Sequence, residues 1–273
     1  MYFTNSKGYK IYYEDTNTDQ RPIIFLHAWG SSHHDFDYCF KNMQGYRKII
    51  YDHRGFGLSD KPNENMSLRH LAEDLKELIE FLKLDNLTIV GYSMGGSVLY
   101  KYIEIYGTYR LNSIVLCDIT PKITNDNEWK LGIMNGKFTK DDLLDSLAWQ
   151  FDDMKEAYLN MYYDIDPSLK YKSEKALKRL IDMDLEGNSY YSITSMWFSI
   201  CYEDFRPILK KIDIPTVLFF ASPGSMMTPD TVEYLEEKIE NTRTYIFENS
   251  THSFVVNKGR TFSKKLEEYL SKL

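Results

Sequence analysis

The sequence predicts an α/β protein: a mostly parallel central sheet flanked by helices, with a helical insertion folded over it. Three observations point there. Short, continuously apolar, β-rich runs recur along the chain. Segments with a helical apolar stripe separate them. Residues 121–212 break the alternation, carrying helix formers and large side chains without a strong strand run. Strands alternating with helices imply βαβ units with right-handed crossovers.

The elements follow in chain order. Gly8 to Glu14 sets Tyr9, Ile11 and Tyr13 against Lys10, Tyr12 and Glu14, the period-two pattern of a hairpin strand with one solvated face. Ile23–Leu26, Lys48–Tyr51, Leu87–Val90 and Ile114–Cys117 are short runs ending at polar turn residues. Such runs suit parallel strands buried on both faces. Leu68, Leu71, Ala72, Leu75, Leu78, Ile79 and Leu82 recur at spacings of three and four behind Ser67, a suitable N-cap. A second helical segment runs from Ser93 through Val98, Leu99 and Tyr102. Thr216–Phe220 and Thr244–Phe247 add two strands, and a last helix carries Phe262, Leu266, Tyr269 and Leu270. The core is therefore expected in residues 1–120 and 213–273, with a helical lid in 121–212. Trp129, Met134, Trp149, Met154, Met161, Met196 and Trp197 in that lid read first as its own core. Some of them should face the carboxyl edge of the sheet, where open α/β folds bind ligands.

Composition narrows the function. The chain has 273 residues, 43% hydrophobic and 27% charged, as ordinary globular proteins do. Forty acidic against thirty-three basic residues give a net charge of −7, which argues against a nucleic-acid partner. Cys39, Cys117 and Cys201 are too few and scattered for a disulfide framework or a four-ligand zinc site. No run approaches the roughly 18 apolar residues of a membrane span, and Met1–Lys10 lacks the apolar centre of a secretory signal. A cytoplasmic enzyme or binding protein is expected. With no H-E-x-x-H, P-loop or post-strand G-x-G-x-x-G, neither metal nor cofactor is expected.

Gly91-Tyr92-Ser93-Met94-Gly95 fits G-x-S-x-G, between the run Leu87–Val90 and a helical segment. That strand–turn–helix setting is what a nucleophile elbow requires. The turn is too tight for side chains at the flanking glycines. It lifts the Ser93 hydroxyl clear of the sheet and turns the Met94 N–H toward a carbonyl oxygen bound above it.

With these residues in view, the chain resembles the lid-bearing α/β-hydrolase superfamily of esterases, lipases and related enzymes. Three further segments carry the resemblance. His27-Ala28-Trp29-Gly30 is similar to its H-G-x-G oxyanion loop, with alanine where glycine is usual. Asp52-His53-Arg54-Gly55-Phe56-Gly57-Leu58-Ser59 is similar to its D-x-R-G-x-G-x-S turn, and Ser250-Thr251-His252 to the loop delivering its histidine. The resemblance spans the chain outside the insertion. It implies Ser93 as nucleophile, His252 as general base and the Trp29 and Met94 amides as oxyanion donors, each worth roughly 3–4 kcal/mol. His27 is expected to brace the oxyanion loop, Asp52, Arg54 and Ser59 to build their turn, and His33 and His34 to be polar surface.

One departure is large. The superfamily normally carries its triad acid just past the penultimate strand, but Ala221-Ser222-Pro223-Gly224 places a glycine there. Asp118 is the first choice to replace it, since it ends the strand after the serine strand and some relatives use that place. Glu248, Asp230 or no acid at all stay open. The expected activity is cleavage of a small carboxylic ester or thioester with an apolar acyl or aromatic group, through an acyl-enzyme. A carbon–carbon bond hydrolase or lyase, a cofactor-free peroxidase-like enzyme, and a ligand-binding or signalling protein with little turnover are the alternatives.

Overall fold

A computed structural model describes residues 1–272. One eight-stranded sheet runs through the molecule in the order β1-β2-β4-β3-β5-β6-β7-β8. The strands are β1 (Tyr2–Thr4), β2 (Lys10–Asp15), β3 (Pro22–Leu26), β4 (Arg47–Tyr51), β5 (Leu87–Tyr92), β6 (Leu111–Cys117), β7 (Thr216–Gly224) and β8 (Thr242–Thr251). β1 and β2 pair antiparallel, as do β2 and β4; every other pairing is parallel. The five β5 residues from Leu87 to Gly91 and the four apolar residues of β3, Ile23–Leu26, are all buried, as strands covered on both faces must be.

The helices are α1 (Asp37–Asn42), α2 (Leu68–Phe81), α3 (Met94–Tyr106), the short turn α4 (Ile133–Gly136), α5 (Lys140–Asp152), α6 (Met154–Ile165), α7 (Glu174–Glu186), α8 (Tyr190–Tyr202), α9 (Pro229–Lys238), α10 (Phe254–Asn257) and α11 (Gly259–Leu270). Two hydrophobic clusters cover the sheet's two faces. One joins Ile24, Ile49, Ile89 and Ile114 to the stripe of α2 and to α3. The other joins Phe25, Ile50, Val90 and Val115 to Phe254, Phe262, Leu266 and Leu270. The residue alternation across these two sets is the period-two geometry of the strands.

Ser67 precedes α2 in an extended conformation, as an N-cap should. Its hydroxyl, however, meets His70 Nδ1 at 2.8 Å rather than a backbone amide. The three-residue strand β1 is not legible as a pattern, yet Phe3 pairs with Ile11 and is buried. Between β6 and β7 the chain is entirely helix and loop. There, Trp129, Met154 and Met196 are buried, whereas Trp149 is exposed at 58% and contributes nothing to a core. No helix among the described residues is long and apolar enough to cross a membrane.

Candidate active site

Three of the strand ends at the carboxyl edge of the sheet deliver the serine, the acid and the imidazole. Ser93 follows β5 and opens α3 with φ 51° and ψ −116°, a conformation L-residues avoid at a cost of about 1–3 kcal/mol. Its N–H donates to the Cys117 carbonyl at 3.0 Å, which anchors the turn to the neighbouring strand. The flanking glycines are forced by crowding. A Cβ on Gly95 would lie 2.2 Å from the Leu26 carbonyl oxygen, and one on Gly91 would lie 2.7 Å from that of Gly95. Met94 is the first residue of α3, so its N–H is one of the helix-end donors without an intrahelical acceptor.

Asp118 follows β6 directly and is fully buried. Its Oδ2 lies 2.6 Å from His252 Nδ1, and its Oδ1 accepts the Ala221 N–H at 3.2 Å. The Asp118 N–H in turn donates to the Phe219 carbonyl at 2.8 Å. The carboxylate is thus fixed to β7 while it reaches the residue after β8. Tyr92, at the end of β5, holds the His252 loop from the other side, its hydroxyl donating to the His252 carbonyl at 3.0 Å. Glu248 and Asp230 are exposed side chains, and neither hydrogen-bonds to His252.

Gly224 has no room to be anything else. A Cβ there would meet the Ser250 carbonyl oxygen at 2.7 Å and the Thr251 Cα at 2.8 Å, because β7 and β8 stay paired through Gly224 and Thr251.

The loop after β3 is held by hydrogen bonds at Ala28 and Ser31. The Ala28 N–H donates to Asp35 Oδ2 at 3.0 Å, and the Ser31 hydroxyl donates to Asp35 Oδ1 at 2.6 Å. Burial pushes the Asp35 carboxyl up to about 6. The Ala28 carbonyl faces His27 Nδ1 at 2.7 Å and accepts the Ser31 N–H at 3.3 Å. His27 Nε2 accepts the His53 N–H at 3.1 Å, which puts the imidazole proton on Nδ1. Burial pulls His27 down to about 4, so it stays neutral as this bonding demands. With the Ala28 carbonyl pinned, the Trp29 N–H of the same trans peptide points the opposite way, and it has no acceptor among the described residues. Ala28 lies outside the left-handed region, so its methyl adds no backbone strain, and it packs beside the cluster under the sheet.

A family model for the alpha/beta hydrolase fold matches residues 21–258. The chain belongs to this family. Among its relatives is a non-heme chloroperoxidase of Kitasatospora aureofaciens, 27% identical over 277 residues and covering 98% of both chains. A bifunctional esterase/perhydrolase of Acinetobacter calcoaceticus is 25% identical over 280 residues, covering 98% of this chain and 99% of the other. An esterase from Exiguobacterium antarcticum superposes with a TM-score of 0.88 at 25% identity, covering 99% of each chain.

In this alpha/beta hydrolase the turn after β4 is scaffolding. Arg54 pairs with Asp74 of α2 through two bonds of 2.6 and 2.5 Å, both side chains buried. Ser59 donates its hydroxyl to the Asp52 carbonyl at 2.6 Å. His34 is exposed, as expected, but His33 is not polar surface. It is 3% exposed, and its N–H and Nδ1 both meet Asp52 Oδ1, at 2.7 and 2.8 Å. The partner 19 residues downstream is what turns a loop histidine inward, and nothing local announces it.

Sequence reasoning named Trp197 but missed Phe138, Tyr158 and Ile193, which the helical insertion also contributes. Trp29 donates its indole N–H to the Ile193 carbonyl at 2.8 Å. Its ring stacks on Tyr158 at 5.4 Å and meets Trp197 at 5.3 Å, while Phe138 packs edge-on to Trp197 at 5.6 Å. Gly30, at φ 70°, receives the Tyr158 ring where a Cβ would lie 2.5 Å from its hydroxyl oxygen. Glycine after Trp29 was the available signal, since a seat cleared of side chain invites a neighbour.

Proposed function

We propose that this alpha/beta hydrolase cleaves a small carboxylic ester or thioester through an acyl-enzyme on Ser93, with the helical insertion as its cap. The observation carrying this reading is the 2.6 Å contact between His252 Nδ1 and Asp118, an acid in place of the one that Gly224 lacks. Asp118 takes the Nδ1 proton as its hydrogen-bond donor, which leaves Nε2 basic. Nε2 removes the Ser93 hydroxyl proton as Oγ attacks the carbonyl carbon. The negative oxygen of the tetrahedral intermediate falls to the Met94 and Trp29 N–H groups, both without competing acceptors. Collapse breaks the bond to the alcohol or thiol, which leaves with the proton from His252. Water, deprotonated by the same imidazole, then attacks the acyl carbon and releases the acid. The ring contacts of Trp29 with Tyr158 and Trp197, and of Trp197 with Phe138, set apolar side chains of the insertion against the loop after β3 and support an apolar acyl or aromatic group.

The test is hydrolysis of p-nitrophenyl butyrate, alongside labelling by a fluorophosphonate and mass mapping of the adduct. Wild type should turn over and label on Ser93, and Ser93→Ala should lose about 10³-fold or more in rate. Equal rates in the two proteins would overturn the reading.

A further inference from the structure

Asn188 joins α7 to α8 and is 7% exposed, and both ends of its amide are engaged. Nδ2 donates to the Gly30 carbonyl at 2.7 Å, and Oδ1 accepts the Gly57 N–H at 3.1 Å. One side chain of the insertion therefore bonds to the loop after β3 and to the turn after β4. Its surroundings grip the same two segments: the Ser189 N–H donates to the Gly55 carbonyl at 3.3 Å, and Ile193 takes the Trp29 indole.

The bond to Gly30 has a longer reach than its length. The Gly30 carbonyl and the Ser31 N–H belong to one planar trans peptide and point in opposite directions. The Ser31 N–H donates to the Ala28 carbonyl at 3.3 Å. That carbonyl shares its peptide with the Trp29 N–H, which again points the opposite way. A chain of hydrogen bonds thus runs from Asn188 Nδ2 through Gly30–Ser31 and Ala28–Trp29 to the free Trp29 N–H. Each bond polarises the next. We propose that Asn188 is a positioning residue for the oxyanion hole, aiming the Trp29 N–H only when the insertion is seated on the core. This rests on the hydrolytic reading above and deepens it, because the cap then controls transition-state stabilisation as well as access.

Three variants separate that role from simple cap docking. Asn188→Ala removes both bonds. Asn188→Asp keeps the size and the acceptor for Gly57, but sets a carboxylate against the Gly30 carbonyl. Ser199→Ala removes a different insertion–core bond, from the Leu68 N–H at 2.9 Å, with no partner in the loop after β3. With p-nitrophenyl butyrate, both Asn188 variants should lose roughly tenfold to a hundredfold in kcat with KM within about twofold, since a tilted donor forfeits part of the 10²–10³-fold that losing one entirely costs. Fluorophosphonate labelling should slow in parallel. Ser199→Ala should lower Tm and keep the wild-type kcat. Wild-type kcat in Asn188→Asp would overturn the proposal, as would losses in all three variants that track Tm. A wild type that neither turns over nor labels overturns the hydrolytic reading itself, and is recognised by the absence of any rate to compare.

Discussion

Asp118 adopts φ 48°, a left-handed conformation that non-glycine residues occupy only when their surroundings fix it. Here the Phe219 carbonyl takes its N–H, and its two carboxylate oxygens meet Ala221 and His252. Replacing it with asparagine keeps the size and removes the charge. The amide can donate to Nδ1, which moves the imidazole proton to Nε2 and, in the proposed mechanism, leaves no base for Ser93. Asp118→Asn should therefore lower kcat by about 10⁴ near neutral pH with the fold intact. Circular dichroism and p-nitrophenyl butyrate kinetics on the same sample check this. A rate within tenfold of wild type would show that this carboxylate does not orient the imidazole. The position of Asp118 was legible, because a strand end beside the serine strand is a short list. Whether His252 reaches it was not, since β7 lies between β6 and β8 in the sheet and sequence gives no measure of that span.

At the level of elements, the legible parts are those with a pattern to repeat. The buried strands, the stripe of α2 and the elbow between β5 and α3 all declare themselves within short stretches of sequence. The insertion is harder, because its helices pack on one another and on the core with broad apolar surfaces. Their starts were nevertheless marked. Thr139, Asp153, Ser173 and Ser189 each accept a backbone N–H at the head of α5, α6, α7 and α8. What no pattern marks is the docking, as Asn188 and Tyr158 touch residues 158 and 128 positions away, Gly30 in both cases. The elbow makes a thermodynamic prediction of its own. Relief of Ser93's strain is worth about 1–3 kcal/mol, against about 0.4–1 kcal/mol for the extra freedom glycine gives the unfolded chain. Ser93→Gly should abolish the proposed ester hydrolysis while raising stability by about 1 kcal/mol, or about 2 °C in Tm. A lower Tm, read by calorimetry, would mean that the serine side chain supports the turn rather than strains it.

Across the whole molecule, three buried histidines link stability to pH with opposite signs. His33 gains the Asp52 carboxylate, and its pKa is raised. Its contribution is complete below the unfolded value near 6.5 and is lost as pH rises through the folded value. His27 and His53 go the other way. Burial lowers His27 to about 4, and it drives His53 well below the ordinary histidine value, with neither ring nitrogen of His53 finding a partner. Both stay neutral in the fold while the unfolded chain takes up protons, so their contribution is intact above about 6.5 and drains away as pH falls. The brace that His27 gives the loop after β3 therefore survives mild acid, but at a cost to the whole fold. His53 is the one to test, because its ring makes no hydrogen bond and only packs, against His27 at 4.4 Å and Tyr51 at 4.9 Å. His53→Leu keeps a similar volume and removes the titration. Any packing penalty is the same at every pH, and the carboxylates titrate in both proteins, so the difference between them isolates one proton. From pH 7 to pH 5 the wild type should lose more unfolding free energy than His53→Leu, with a slope that cannot exceed about 1.4 kcal/mol per pH unit for one proton. Urea titrations at the two pH values measure it. Parallel losses would place His53 in contact with water and remove the link between this buried pair and acid sensitivity.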